Sequence, residues 1–458
     1  MKENKTKKEN NKITKNKKVK VISITLLLLL VIVGVVSFVY SQNIRLTKNN
    51  NEEQEVQESK TQEIVLEDNK YMHVETDASG DSVPVPNGFV GSKVTGENEI
   101  DTGFVIYEGE EEVTDSNVQT AQTSRNQYVW IPVEDISKFY GTDANGKSWG
   151  KIYNFTTGTN SSSTFNEVTG TYAYNWSETN GVMSISSSIG VREPDVLRNY
   201  DTPYYLKTYG VSEDNMHDFL MRQEIDFSKM VDSVEKYGGF YIGRYETGDL
   251  SKEQVVVQKG NTDIGSQTWY AMYEKCKTLS DNNNNIETGM IWGNQWDRTL
   301  MWLMECNAKE ETTGKSKEEV ISDSTSWGNY YNATFTYTNS SGSTSTKNSG
   351  SSTRIPTGST EYTKANNIYD LAGNVRDWTM EAYDILRRVS RGGVFSSDGT
   401  NYPASYRSTN LNPASSSSYN GTRATLCIKW HWTLMAMYQW PFSQKHDTNG
   451  FWPVMHPC

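Results

Sequence analysis

The chain has 458 residues with a formal net charge of −12 and a pI near 5.1. Its first 20 residues hold nine lysines against two glutamates, about +7, which leaves the remainder near −19. That balance excludes nucleic acid as a partner, because binding phosphates requires a basic face. Four cysteines (Cys276, Cys306, Cys427, Cys458) are too few and too scattered for a disulfide scaffold. Cys276 and Cys306 could bridge outside the cell or stay as buried free thiols. The wealth of lysine, asparagine and isoleucine points to an AT-rich bacterial source.

The basic segment 1–20 precedes Val21–Tyr40, VISITLLLLLVIVGVVSFVY, which holds no charge. Twenty residues at helical rise cover about 30 Å, the thickness of a hydrocarbon core. The lysines stay cytoplasmic, so a single-pass anchor sends the C-terminal bulk outside the cell. A cleaved signal peptide is the rival reading; the run is long for one, and Ser37–Ser41 lacks a small-x-small cleavage site. Residues 41–81 read as a flexible stalk, with 41–70 rich in Asn, Gln, Glu and Lys. Such a stalk reaches on the order of 35 Å.

From Ser82 the texture turns to short alternating runs with Pro and Gly, which predict strands and turns across a domain at 82–429. YVWIPV at 128–133 is a buried-strand candidate. Asp226 is the expected cap of a helix carrying Met230, Val231 and Val234 and ending at Gly238-Gly239. Trp269, Met272, Tyr273 and Cys276 share helical spacing, as do Trp296, Leu300 and Leu303 behind a cap at Asn294. These apolar stripes are expected to pack the core. Thr156–Thr164 and Asn339–Thr353 read as long surface loops.

Within 238–423 a set of motifs accumulates: GGFYIGRYETG at 238–248, TWYAMYEKC at 268–276 and GMIWGNQWDRTLMW at 289–302. SWGNYYN at 326–332, NNIYDLAGNVRDWT at 366–379, RVSRGGVF at 388–395 and GTR at 421–423 follow. In order and spacing these resemble the formylglycine-generating enzyme (sulfatase-modifying factor) family. The resemblance implies an α+β fold, a variant of the C-type lectin fold with little regular secondary structure. Catalytic members oxidise a cysteine using a copper-holding pair of cysteines between the RGG and Gly-x-Arg motifs. Gly392–Arg423 contains no cysteine here, and a soft metal needs thiolates, so copper and the oxidase chemistry are not expected. A related branch holds iron with histidines of an added domain; His73 and His217 stand far apart with no carboxylate motif around them.

The resemblance also implies a structural calcium held by the side chains of Asp370 and Asp377 and the carbonyls of Gly373 and Val375. Hard oxygens around a tight turn suit that ion. The family usually has glutamate at the position of Asp377 and tryptophan at that of Arg376. The plainer reading is a turn whose aspartates cap backbone N–H groups.

Ser396–Asn420 has 15 Ser, Asn or Tyr among its 25 residues, the chemistry of recognition loops. By resemblance this region lines the substrate cleft, and receptor-like relatives vary it. The candidate ligand contacts are Tyr402, Tyr406, Arg407, Asn410 and Tyr419; an ordinary polar loop is the alternative. Residues 430–458 break the pattern, holding four of 13 tryptophans and three of five histidines without a period. They read as an appended tail in which His446, His456 and Cys458 match no standard metal spacing. Two functions stay open: a membrane-anchored extracellular module binding a protein, peptide or glycan, or an enzyme of this family with altered chemistry.

Overall fold

A computed structural model describes residues 64–142, 148–150, 153–155, 165–167, 178–179, 182–183, 213–249, 254–309, 312–384 and 387–430. The basic segment, Val21–Tyr40, Thr156–Thr164 and the tail beyond Trp430 lie outside them. Among the described residues no helix is long and apolar enough to cross a membrane.

The described architecture is α+β, with many short strands and few helices. It opens with a hairpin of β1 (Met72–Thr76) and β2 (Ser82–Pro86), which starts inside the stretch expected as stalk. The signal was weak there because β1 is MHVET, with one apolar side chain fully covered. β3 (Phe89–Gly91), β4 (Val105–Glu108) and β5 (Gln127–Pro132) follow. With β6 (Gly239–Gly243), β7 (Ile286–Met290) and the C-terminal Ala424–Ile428 they make a six-stranded antiparallel sheet. Its order is β7, Ala424–Ile428, β6, β5, β4, β3. The chain's last described strand thus lies mid-sheet, where Leu426 is in register with Tyr241 and Tyr241 with Trp130. β5 is buried almost throughout, as its unbroken apolar run requires for a strand covered on both faces.

Three helices pack on this sheet. α1 (Glu213–Tyr237) lies against β6 and Ala424–Ile428. It ends at Gly238, whose φ of 80° is a left-handed terminating residue. Asp226 does not cap it: the helix begins 13 residues earlier. Instead, Asp226 accepts from Tyr273 Oη (2.7 Å) and Lys277 Nζ (2.6 Å). Those partners lie on α2 (Trp269–Thr278), which packs against β7. Tertiary partners outweighed the local cap preference. α3 (Gly293–Cys306) starts two residues earlier than expected, with Trp292 in place of Asn294 as its cap. Gln295 Oε1 accepts from Trp292 N (3.0 Å), and Asn294 instead donates to Phe139 O (3.1 Å). Trp269, Trp296, Leu300 and Leu303 are buried as their spacing demands. Each such side chain contributes roughly 2–3 kcal/mol by removal from water.

Asn339–Thr353 is not an open loop. Strands β8 (Phe335–Thr338) and β9 (Thr344–Lys347) pair across a turn that begins at Asn339. Its Thr/Ser composition conceals a hairpin because one face stays wet, while Lys347 Nζ turns inward to the carbonyls of Tyr330 and Ala333. The second sheet has four strands: β10 (Arg376–Asp384), β11 (Arg387–Arg391), β12 (Arg407–Leu411) and β13 (Asn420–Thr422). Their order is β12, β11, β10, β13, with β10 and β13 parallel. Cys276 and Cys306 are separate buried thiols.

Candidate functional site

The turn from Asn366 to Asn374 carries five left-handed residues: Asn366, Asn367, Asp370, Gly373 and Asn374. Asn and Asp tolerate this conformation because their side chains bond nearby backbone. Here the bonds reach across the fold. Asn366 Nδ2 donates to Asp101 O (2.9 Å) and Asn367 Nδ2 to Gly103 O (3.0 Å). Asn374 Nδ2 donates to Glu246 Oε2 (2.6 Å). Gly373 lies so close to Asn329 that a Cβ would stand 2.4 Å from that residue's carbonyl oxygen.

Four carboxyls are buried under this turn: Asp370, Asp377, Glu246 and Asp263. Asp370 Oδ2 accepts from Gly358 N (2.8 Å) and Thr357 Oγ1 (2.9 Å), the capping role of the plainer reading. Its Oδ1 is buried with no hydrogen-bond partner, as is Oδ1 of Asp377. Glu246 Oε1 accepts from Val375 N (3.2 Å). Burial, then the fields of Asp370, Asp263 and Asp377, hold the Glu246 carboxyl well above the ordinary range. Burial pushes Asp377 up to about 7, against the opposing pull of Arg423, and Asp263 up to about 6, against Arg354. Burial raises Asp370 as well.

Two orphaned carboxylate oxygens, Oδ1 of Asp370 and Oδ1 of Asp377, are hard donors of the kind a calcium ion takes. Arg423 supplies part of the positive charge there, with Nε 3.4 Å from Asp377 Oδ2 and Nη2 on Tyr369 O (2.8 Å). Among the described residues no three His, Cys, Asp or Glu side chains are grouped to hold one metal ion. The anticipated site uses two carboxylates and takes its other ligands from backbone carbonyls. Burial pushes the thiols of Cys276, Cys306 and Cys427 up to about 12, so none is a ready nucleophile.

The candidate recognition residues gather beside this turn. Tyr402 and Tyr406 meet edge to face, with centroids 4.7 Å apart. Tyr419 is 43% exposed and leans on Phe395 at 5.5 Å. Phe395 N donates to Asn374 O (2.9 Å), and Arg376 N to Tyr419 O (2.9 Å), which fastens both loops to the turn. Arg407 is committed inward: its guanidinium pairs with Glu381 Oε1. Glu381 Oε2 takes Arg391 Nη2 (2.9 Å), and Arg391 reaches Asp297 (3.1 Å). Arg407 therefore ties the recognition face to a buried ionic chain. Asn410 lies on β12, and its side chain is outside the described residues. Residue spacing did not reveal Glu246 and Asp263, since only the fold brings them to Asp370. A cavity of about 340 Å³ between residues 65–71, Lys236, Tyr237 and Trp430 contains none of these site residues.

No family model matches the chain, and no curated protein matches it. Among solved structures, Treponema denticola variable protein 1 is similar at 15% identity, over 42% of this chain and 85% of that one, with a TM-score of 0.27.

Proposed function

We propose that this chain is a membrane-anchored binding module. Its extracellular domain would be a formylglycine-generating-enzyme-like variant of the C-type lectin fold that recognises a protein, peptide or glycan. One observation carries the reading: Tyr402 and Tyr406 meet edge to face, both lie with Tyr419 near the Arg376 guanidinium, and Arg407 of the same Ser- and Asn-rich segment is tied to Glu381 and through it to Arg391. Tyrosine gives contact area at low entropic cost, and a rigid support under polar loops suits recognition.

A structural calcium belongs to this reading. Asp370 and Asp377 would hold it with the Gly373 and Val375 carbonyls, and the charge would stabilise the turn that carries both loops. The rival reading is an enzyme with altered chemistry, whose family's cysteine pair is missing from Gly392–Arg423. The deciding experiment probes peptide and glycan arrays with the full chain in detergent. Saturable binding lost in a Tyr402→Ala/Tyr406→Ala variant that melts as wild type supports the module. Turnover of a Cys-x-Pro-x-Arg peptide with copper would overturn it.

A further inference from the structure

Among the described residues, several buried arginines are paired with carboxylates. Arg244 faces Glu97 at 2.6 Å, Arg391 faces Glu381 and Asp297, and Arg423 faces Asp377. Arg376, at the start of β10, differs from them. Among the described arginine side chains it is the one with neither a carboxylate partner nor a hydrogen bond, and its Nε is buried without an acceptor. The terminal nitrogens are not among the buried unsatisfied atoms, so the fork opens to solvent. Burial holds its pKa below the ordinary arginine value, and the groups that oppose this shift are three phenols, Tyr406, Tyr402 and Tyr419. An arginine stays charged even so. A half-buried guanidinium with no acceptor forgoes charge-assisted hydrogen bonds that it is built to make.

We infer that Arg376, flanked by Tyr402, Tyr406 and Tyr419, is a carboxylate-binding subsite for a peptide ligand. The assignment rests on the binding-module reading and names what its face would recognise. The sign follows from the unpaired cation, and the planar fork matches a carboxylate bidentately. A monoanion is favoured because the local cation is single. Arg407 is spent on Glu381, and Arg354, whose Nη1 reaches Ser418 O (3.3 Å), is spent on Asp263 (3.1 Å). Phosphate sites recruit several arginines together, and the acidity of the chain beyond its first 20 residues opposes a dianion further. The tyrosine rings suit an apolar or aromatic group beside the carboxylate, as at a peptide C-terminus.

Phenylglyoxal modification of the full chain, mapped by peptide mass spectrometry, tests this. Arg376 is expected to react before buried Arg244 and Arg391. N-acetyl-phenylalaninate at fixed ionic strength should protect it, and inorganic phosphate should protect it less. Calorimetry with the same probe should show about a 10- to 100-fold affinity loss in Arg376→Gln, with partial retention in Arg376→Lys. Equal affinity in Arg376→Gln, no protection at 100 mM probe, or protection by glucuronate but not by N-acetyl-phenylalaninate would overturn the assignment. Failure of the broader reading looks different. Arrays would then stay blank while the small probe still protects Arg376. Array binding indifferent to Arg376→Gln would instead remove the subsite alone.

Discussion

Replacing Glu97 with glutamine removes one charge from a buried pair. Glu97 Oε1 accepts from Arg244 Nη2 (2.6 Å), and Oε2 accepts from Ser92 Oγ and Tyr107 Oη (2.9 Å each). The two side chains are 8% and 2% exposed. The amide can keep acceptor bonds but leaves the Arg244 guanidinium without a counter-charge, and breaking a buried pair on one side costs about 3–5 kcal/mol. That is a large share of a stability on the order of 5–15 kcal/mol. Glu97→Gln/Arg244→Met removes both charges, so it should be no less stable than Glu97→Gln, with a coupling of about 2 kcal/mol or more. The pH dependence has a defined sign. Arg244, Tyr107 and Ser92 outweigh burial and hold the Glu97 carboxyl below its ordinary 4.5. Its stabilisation is therefore present above pH 4.5 and lost as pH falls through the lower folded-state value. Urea unfolding at pH 7 and at stepped pH below 4.5 measures both effects. A loss under 1 kcal/mol in Glu97→Gln, or a coupling near zero, would refute the reasoning.

The carboxyls under the Asn366–Asp377 turn should show the opposite slope. Asp377 and Asp263 are raised to about 7 and about 6, so in EDTA the stability they carry is full below about pH 4 and declines as pH rises through 7. Millimolar calcium should flatten that decline and raise the melting temperature, and no shift would remove the calcium proposal. Gly103→Ala would put a Cβ 2.0 Å from Asn366 O at a φ of 97°. A loss of about 2 kcal/mol or more in a denaturant series is expected. Cys276, Cys306 and Cys427, with thiols near 12, should resist iodoacetamide at pH 8 in the native state and react in urea, read by mass mapping.

The sequence by itself determined the local elements that advertise themselves in one stretch of chain. β5 was legible because its apolar run is unbroken, and α2 and the core face of α3 because their tryptophans and leucines recur at helical spacing. The stop at Gly238 was legible because only glycine adopts φ of 80° without strain. The turn at Asp370–Asp377 and the Ser/Asn/Tyr segment were visible as motifs. What only the tertiary structure decided were the partnerships between distant residues. Asp226 reads as a cap until α2 offers Tyr273 and Lys277, 47 and 51 residues away. The hairpin in Asn339–Thr353 stayed hidden because a strand with one wet face needs few apolar side chains. Glu246 and Asp263 join Asp370 only through the fold. Arg407 and Arg376 look alike as exposed cations in sequence, yet one is fixed to Glu381 and the other left open. The reason is physical: a helix or a buried strand is specified by neighbours a few residues apart, whereas the charge state and freedom of a side chain are set by whatever the fold brings against it.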